Sequence, residues 1–326
     1  MKNEKIEILR GVAIIAVLAI HTVWGGYIGI IIRPFINFAV GMFIFISGYL
    51  TNCSEKYHYD QMYKKRILRV LVPYIIWSII YTIAYIFNGE HKNILFNFLT
   101  GQSCNIYYYI LVYIQLTLIS PIAEKLMKSK YKKIGFFITP SVLLAYYLYI
   151  FVVKKEIPFP WNANNFLVWF IYFYLGLILG NKKIKIILKK SILKSLTFFA
   201  LILQILEANL WYKLGYNAMA TSQLKLSSML LNIFILLNIF YWLENKNTES
   251  IKFKKLKNIL ISIGDMSFGI YLSHILILGI LNIFFSYWKN IIFPLNTFLL
   301  LTINIMCIIA GRKILNKKTA KYIGLF

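Results

Sequence analysis

Apolar residues run through this 326-residue chain in blocks of roughly 17–22, the length that carries a helix across a ~30 Å hydrocarbon slab at 1.5 Å per residue. The blocks lie near residues 6–26, 34–52, 67–88, 104–122, 134–153, 166–181, 195–213, 224–243, 259–285 and 291–311. Polar stretches between them are short, and none has the size of a soluble domain. The pattern predicts an all-α, polytopic membrane helix bundle of about ten transmembrane helices, built as one domain over residues 1–326. Helices are the open-chain element that satisfies every backbone N–H and C=O in lipid. No internal repeat suggests the inverted halves of a secondary transporter. Lys2, Lys5 and Arg10 precede the first block as they precede a signal peptide, but no small-residue cleavage site follows, so it reads as a retained helix.

Composition agrees, at 60% hydrophobic and 17% aromatic against about 45–50% apolar in soluble domains. The net charge of +25 at first suggests a nucleic-acid binder, but the placement of the charges argues otherwise. One alternating set of loops, with both termini, holds 29 of the 36 Lys and Arg residues. The other set holds the remaining 7, namely Arg33, Lys92, Lys154, Lys155, Lys213, Lys225 and Lys289. Lys/Arg excess in short loops marks the cytoplasmic side, so both termini are predicted to be cytoplasmic. The charge is topological; membrane lipid is the implied partner and nucleic acid is not. Cys53, Cys104 and Cys307 show neither metal-ligand spacing nor a disulfide framework, and read as buried small apolar residues.

Ionisable residues inside the spans carry the information, because each is costly there unless partnered. Arg10 and His21 are eleven residues apart, which puts them on one stripe of the first helix about 16 Å apart along its axis. Arg10 alone reads as an ordinary snorkelling cation near the cytoplasmic surface. His21 lies past the midplane, where it reads as a helix-to-helix hydrogen bonder or, since an imidazole of ordinary pKa about 6.5 suits the role, as a general base. Ser267, Tyr271 and His274 have offsets of four and three and share one helix face, as a hydrogen-bonding seam or a site would. Arg66 and Arg69 lie one turn apart where a cytoplasmic loop joins the third span, suited to gripping a phosphate or serving as plain positive-inside charge. Ser47, Gly48 and Tyr49 close the second span, where a Ser-Gly pair permits close helix approach or a ligand-facing break. Glu207 is the one carboxylate that reads as embedded; it pairs with a cation, orients a histidine, or sits at the outer interface. Asp265 reads as an N-terminal cap of the ninth span. The spacings Gly176–Gly180 and Gly25–Gly29 fit tight helix packing.

In order and content these clusters resemble the acyltransferase-3 family of multi-pass membrane acyltransferases, which O-acylate cell-surface glycans. The segment 10–21 (RGVAIIAVLAIH) resembles the family's first-helix Arg…His signature, and 45–50 (FISGYL) its second-helix motif. Arg66 and Arg69, followed by Pro73, Tyr74 and Trp77, resemble its Arg-x-x-Arg lead into the third helix. The segment 267–274 (SFGIYLSH) is similar to its late Ser-Tyr-x-x-Tyr-Leu-x-His signature, with Phe268 replacing the common Tyr. Tyr107, Tyr108 and Tyr109 stand where members often carry His and Trp.

The resemblance implies a metal-independent O-acyltransferase of a bacterial cytoplasmic membrane. It implies transfer of an acetyl or other short acyl group from cytoplasmic acyl-CoA (acetyl-CoA) to a hydroxyl of a cell-surface or lipid-linked glycan. His21 then acts as base or transient acyl carrier, and Arg10 holds phosphate or stabilises oxyanion charge. Arg66, Arg69, Ser47 and Tyr49 face the donor, while Ser267, Tyr271, His274 and Glu207 line or support the acceptor side. With no esterase-like extracytoplasmic domain appended, the acyl group goes straight to the acceptor or to a separate transfer protein. Export of a polysaccharide or lipid-linked sugar is the alternative class.

Overall fold

The computed structural model describes residues 3–23, 25–52, 59–89, 93–181, 189–244 and 251–325. Among these residues every regular element is helical and no strand occurs. In chain order the helices are α1 (Glu4–Thr22), α2 (Gly26–Ile32), α3 (Phe38–Asn52), α4 (Tyr59–Phe87), α5 (Ile94–Thr100), α6 (Tyr108–Leu118), α7 (Ser120–Lys128) and α8 (Ile138–Val153). They continue with α9 (Trp161–Asn164), α10 (Phe170–Gly180), α11 (Lys190–Lys213), α12 (Asn217–Thr221), α13 (Leu226–Glu244), α14 (Ile251–Phe284), α15 (Leu295–Ile314) and α16 (Lys317–Tyr322). A short 3-10 turn, Arg33–Phe35, joins α2 to α3.

Six stretches are long and apolar enough to cross a bilayer: Gly26–Thr51, Tyr63–Phe87, Lys190–Lys213, Asn217–Glu244, Lys254–Phe284 and Leu295–Ile314. A seventh is broken, because α6 and α7 meet at 54° around Ile119, with Pro121 in the first turn of α7. The apolar helices α8 and α10 are shorter than a full span. Large apolar side chains such as Ile79, Ile83, Phe198, Leu206 and Ile283 stand exposed on the bundle's outside, as lipid-facing residues must.

Helix α1 is central, packing on α3, α13, α14 and α15. Its tightest neighbour is α14, and glycine is the cause. A Cβ on Gly11 would collide with the Leu260 carbonyl, and one on Gly264 with the Glu7 carbonyl, so the two backbones touch. The same device joins α3 to α10: Gly48 lies on the Phe173 carbonyl and Gly176 on the Phe45 carbonyl, as the Ser-Gly pair and the Gly176 spacing predict. Gly25 departs from expectation, since its missing side chain faces open space.

Two further expectations are corrected. Asp265 is no cap, because α14 begins at Ile251, well before it; the carboxylate instead takes a 3.0 Å hydrogen bond from Arg312 of α15. Cys104 is buried, as predicted, but Cys307 is exposed on the bundle's outer face. Cys53 and the basic stretches at 56–58, 182–188 and 246–250 lie outside the described residues.

Candidate active site

The close α1–α14 packing brings the two histidines of the sequence motifs together. The rings of His21 and His274 have centroids 5.2 Å apart and planes tilted by 52°. His274 is fully buried. Its Nδ1 lies 3.0 Å from the Ile270 carbonyl oxygen and 2.9 Å from that of Tyr271. Carbonyl oxygens only accept, so Nδ1 carries the proton and Nε2 of the neutral ring keeps its lone pair. That Nε2 is buried with no hydrogen-bond partner among the described residues. An unpaired buried acceptor is unfavourable, by about 1–3 kcal/mol, and calls for a functional account. His21 differs: it stands exposed in the last turn of α1, beside the buried His274.

The rest of the late motif supports His274. Ser267 and Tyr271 are buried on its face of α14, and the Tyr271 hydroxyl donates to the Ile106 carbonyl. Tyr107 is fully buried and donates back to the Leu272 carbonyl at 3.3 Å. Tyr107 therefore serves as a strut for the His274 turn, and the Tyr109 ring packs on Tyr271, while Tyr108 turns to Gln223 and Trp169. Tyr81 goes further: its hydroxyl donates to the Leu272 carbonyl at 3.2 Å and accepts from the Leu276 N–H at 2.9 Å. Those are the two groups an unbroken helix bonds to each other, so a side chain is inserted into the ladder of α14 beside His274. Nothing in the sequence marks Tyr81 for this, because an aromatic facing the interior and one facing lipid look alike in an apolar run.

Near the start of α1 Arg10 forms a 2.8 Å ion pair with Oε1 of Glu7, whose side chain is buried and whose Oε2 has no partner among the described residues. Arg66 does not stand free beside Arg69. Its guanidinium turns back to the end of α3, donating to the Thr51 hydroxyl and to the Leu50 carbonyl at 2.9 Å. Arg69 is exposed on α4, as are Lys64 and Lys65. Ser47 is buried with an unpartnered hydroxyl, and Tyr49 packs its ring on Phe45 and Phe240.

Glu207 stands apart from the histidines. Its carboxylate accepts from the Tyr147 hydroxyl, from Trp211 Nε1 at 3.2 Å and from the Ser227 N–H at 3.1 Å. It ties α8, α11 and α13 together. The residue that loop charge alone leaves unnoticed is Arg33, counted as an outer-loop cation. It lies within electrostatic reach of His21, Tyr108 and Lys225. No group of three or more His, Cys, Asp or Glu suited to a metal ion occurs among the described residues. An apolar groove of about 500 Å³ between α4 and α5, lined by Ile79, Ile83, Ile94 and Leu95, holds none of the motif residues.

A polytopic helix bundle that sets an exposed histidine against a buried one offers the parts of a membrane enzyme. The family comparison agrees: a model described as an acyltransferase domain matches residues 3–311, nearly the whole chain, and the chain belongs to the acyltransferase-3 family. No curated protein and no solved structure matches it.

Proposed function

We propose that the chain transfers an acetyl or other short acyl group from cytoplasmic acyl-CoA to a hydroxyl of a cell-surface or lipid-linked glycan in a bacterial cytoplasmic membrane. The reading takes both termini as cytoplasmic and the spans as ten, with α1, α8 and α10 joining the six long spans and the bent pair. The observation that carries it is the His21–His274 pair, one ring accessible and the other held with an unpartnered Nε2.

The donor supplies an acyl group activated as a thioester. Its phosphates suit the exposed Arg69 with Lys64 and Lys65, and the buried, unpartnered Ser47 hydroxyl suits a polar group of its arm. Arg66 is already engaged at the end of α3 and serves the site by fixing α3 against α4. Arg10 and His21 sit about 16 Å apart on one helix, too far to act on the same carbonyl, which leaves Arg10 to the donor's charged portion. Glu7 fixes its guanidinium for that purpose. His21 takes the proton of the acceptor hydroxyl, and the unprotonated Nε2 of His274 steadies the N–H that His21 then presents. The new ester bond forms as the thioester breaks, and the proton leaves with the coenzyme thiol.

Membranes containing the protein, given radiolabelled acetyl-CoA, are expected to label a glycan fraction, and His21→Ala membranes are not. Full labelling by the variant, together with an unchanged acyl pattern of surface polymers when the gene is deleted, would overturn the reading.

A further inference from the structure

Arg33 sits in the 3-10 turn between α2 and α3, half-buried, and its guanidinium makes no hydrogen bond or ion pair to any described residue. Burying a guanidinium without a counter-charge is unfavourable enough that proteins rarely do it unless a ligand completes the site. Its surroundings add charge rather than neutralise it. Lys225, itself buried, donates to the Ala220 carbonyl and lies within reach of Arg33. The one carboxylate within reach of Lys225, Glu207, already accepts from Tyr147, Trp211 and Ser227.

The same neighbourhood holds polar atoms with no partner among the described residues. Asn37, one turn beyond Arg33, is buried; its side-chain nitrogen donates to the Thr221 carbonyl and its Oδ1 is unpartnered. Asn232 is buried and donates to the Asn37 carbonyl at 3.3 Å, and its Oδ1 is unpartnered too. Gln223 donates to the Tyr108 hydroxyl at 2.9 Å and leaves Oε1 bare. A cation without an anion, in the same part of the bundle as buried acceptors without donors, is complementary to a molecule bearing one acidic group and several hydroxyls.

We infer that Arg33 and the side chains of Asn37, Gln223 and Asn232 form an acceptor subsite for a sugar or polyol that carries a phosphate or carboxylate. The site rests on the acyltransferase reading, in which the acceptor reaches His21 from this side. It deepens that reading by giving the acceptor a charge. Arg33 holds the acidic group and thereby sets which hydroxyl meets His21. A lipid headgroup phosphate has the same chemistry as an acidic glycan, so the test separates the two.

The full-length protein in phosphatidylcholine nanodiscs is treated with phenylglyoxal, which modifies accessible arginines, and the Arg33 peptide is quantified by mass spectrometry. Glucuronate and glycerol 3-phosphate, each added separately, are expected to slow Arg33 modification at least fivefold, and glucose is not. Modification of an unrelated arginine-containing reference peptide added to the same sample controls for general quenching. Protection that appears in phosphatidylglycerol nanodiscs with no sugar added also supports the anion site and assigns its source to the lipid. Equal modification under all conditions, or equal protection by glucose, overturns the proposal. The footprint needs no turnover. Loss of acetyl transfer with an intact footprint therefore refutes the reaction and spares the subsite, while transfer without a footprint does the reverse. In an active preparation, Arg33→Gln is expected to raise the KM for an acidic acceptor with little change in kcat, the split that a merely structural role does not give.

Discussion

His21 and His274 meet at 5.2 Å because α1 and α14 touch through Gly11 and Gly264, more than two turns from the rings themselves. A pair of imidazoles gives one nitrogen to position and another to exchange a proton. His21→Ala is therefore expected to lower acyl transfer about 10²–10⁴-fold, the usual contribution of a positioned general base. His274→Ala should fall into the same range. His274→Gln places an acceptor oxygen near the position of Nε2 and His274→Asn does not, so Gln should retain more activity than Asn. Equal loss in both variants would assign His274 a proton-carrying role instead of a positioning one. Radiolabelled acetyl transfer in membranes measures all four variants.

The glycine contacts make a second prediction, about stability and activity together. Gly264→Val drives two methyl groups and a Cβ into the Glu7 carbonyl, and forced overpacking of this kind is unfavourable by about 1–3 kcal/mol. The detergent-solubilised variant should melt at a lower temperature and lose transfer as His274 moves away from His21. Gly264→Ala should shift in the same direction by less. Gly25→Ala is the control: its φ of −71° suits any residue and its Cβ meets open space, so neither quantity should change.

The histidine pair was half legible in the sequence. The eleven-residue spacing put Arg10 and His21 on one stripe, and the offsets of four and three put His274 on a buried face, but nothing local says that these faces meet. Hydropathy also misplaces helix ends, since a helix runs out of the hydrocarbon into water with no change of backbone. Asp265 looks like a cap for that reason, although α14 begins at Ile251. Arg33 was hidden by the rule that predicts the topology. Counting cations by loop treats each as exchangeable, whereas burial next to Lys225 is a long-range property of the packed bundle.

Tyr81 offers a test of the inserted hydroxyl. Tyr81→Phe removes the donor to the Leu272 carbonyl and the acceptor for the Leu276 N–H while keeping the ring. Leu272 retains Tyr107 as a donor, so the loss falls mainly on Leu276 unless α14 closes its own bond. Leaving a buried group unpaired is unfavourable by about 1–3 kcal/mol, which should appear as faster hydrogen exchange in the 270–278 segment. Unchanged exchange would show that α14 re-forms a continuous ladder there. Tyr107→Phe should have the smaller effect, because Tyr81 still serves the same carbonyl.

Arg66 and Arg69 are one turn apart and chemically identical, yet the structure gives them different tasks, and parallel substitutions separate them. Arg66 donates to Leu50 and Thr51 at the C-terminal end of α3, where carbonyls lack intrahelical partners and a cation is favoured. Arg66→Gln should lower the melting temperature of the solubilised protein, with transfer falling as the α3–α4 junction loosens. Arg69 is exposed, and its substitution removes no internal bond of the described residues. Arg69→Gln should leave the melting temperature unchanged and raise the KM for acetyl-CoA. The loss of one charge-assisted contact, about 1.5–3 kcal/mol, corresponds to roughly 10–150-fold. Increasing ionic strength should weaken donor binding to the wild type and affect Arg69→Gln less, since screening acts on a charge the variant lacks. Raised KM in both variants with unchanged stability would instead return Arg66 to the donor site beside Arg69.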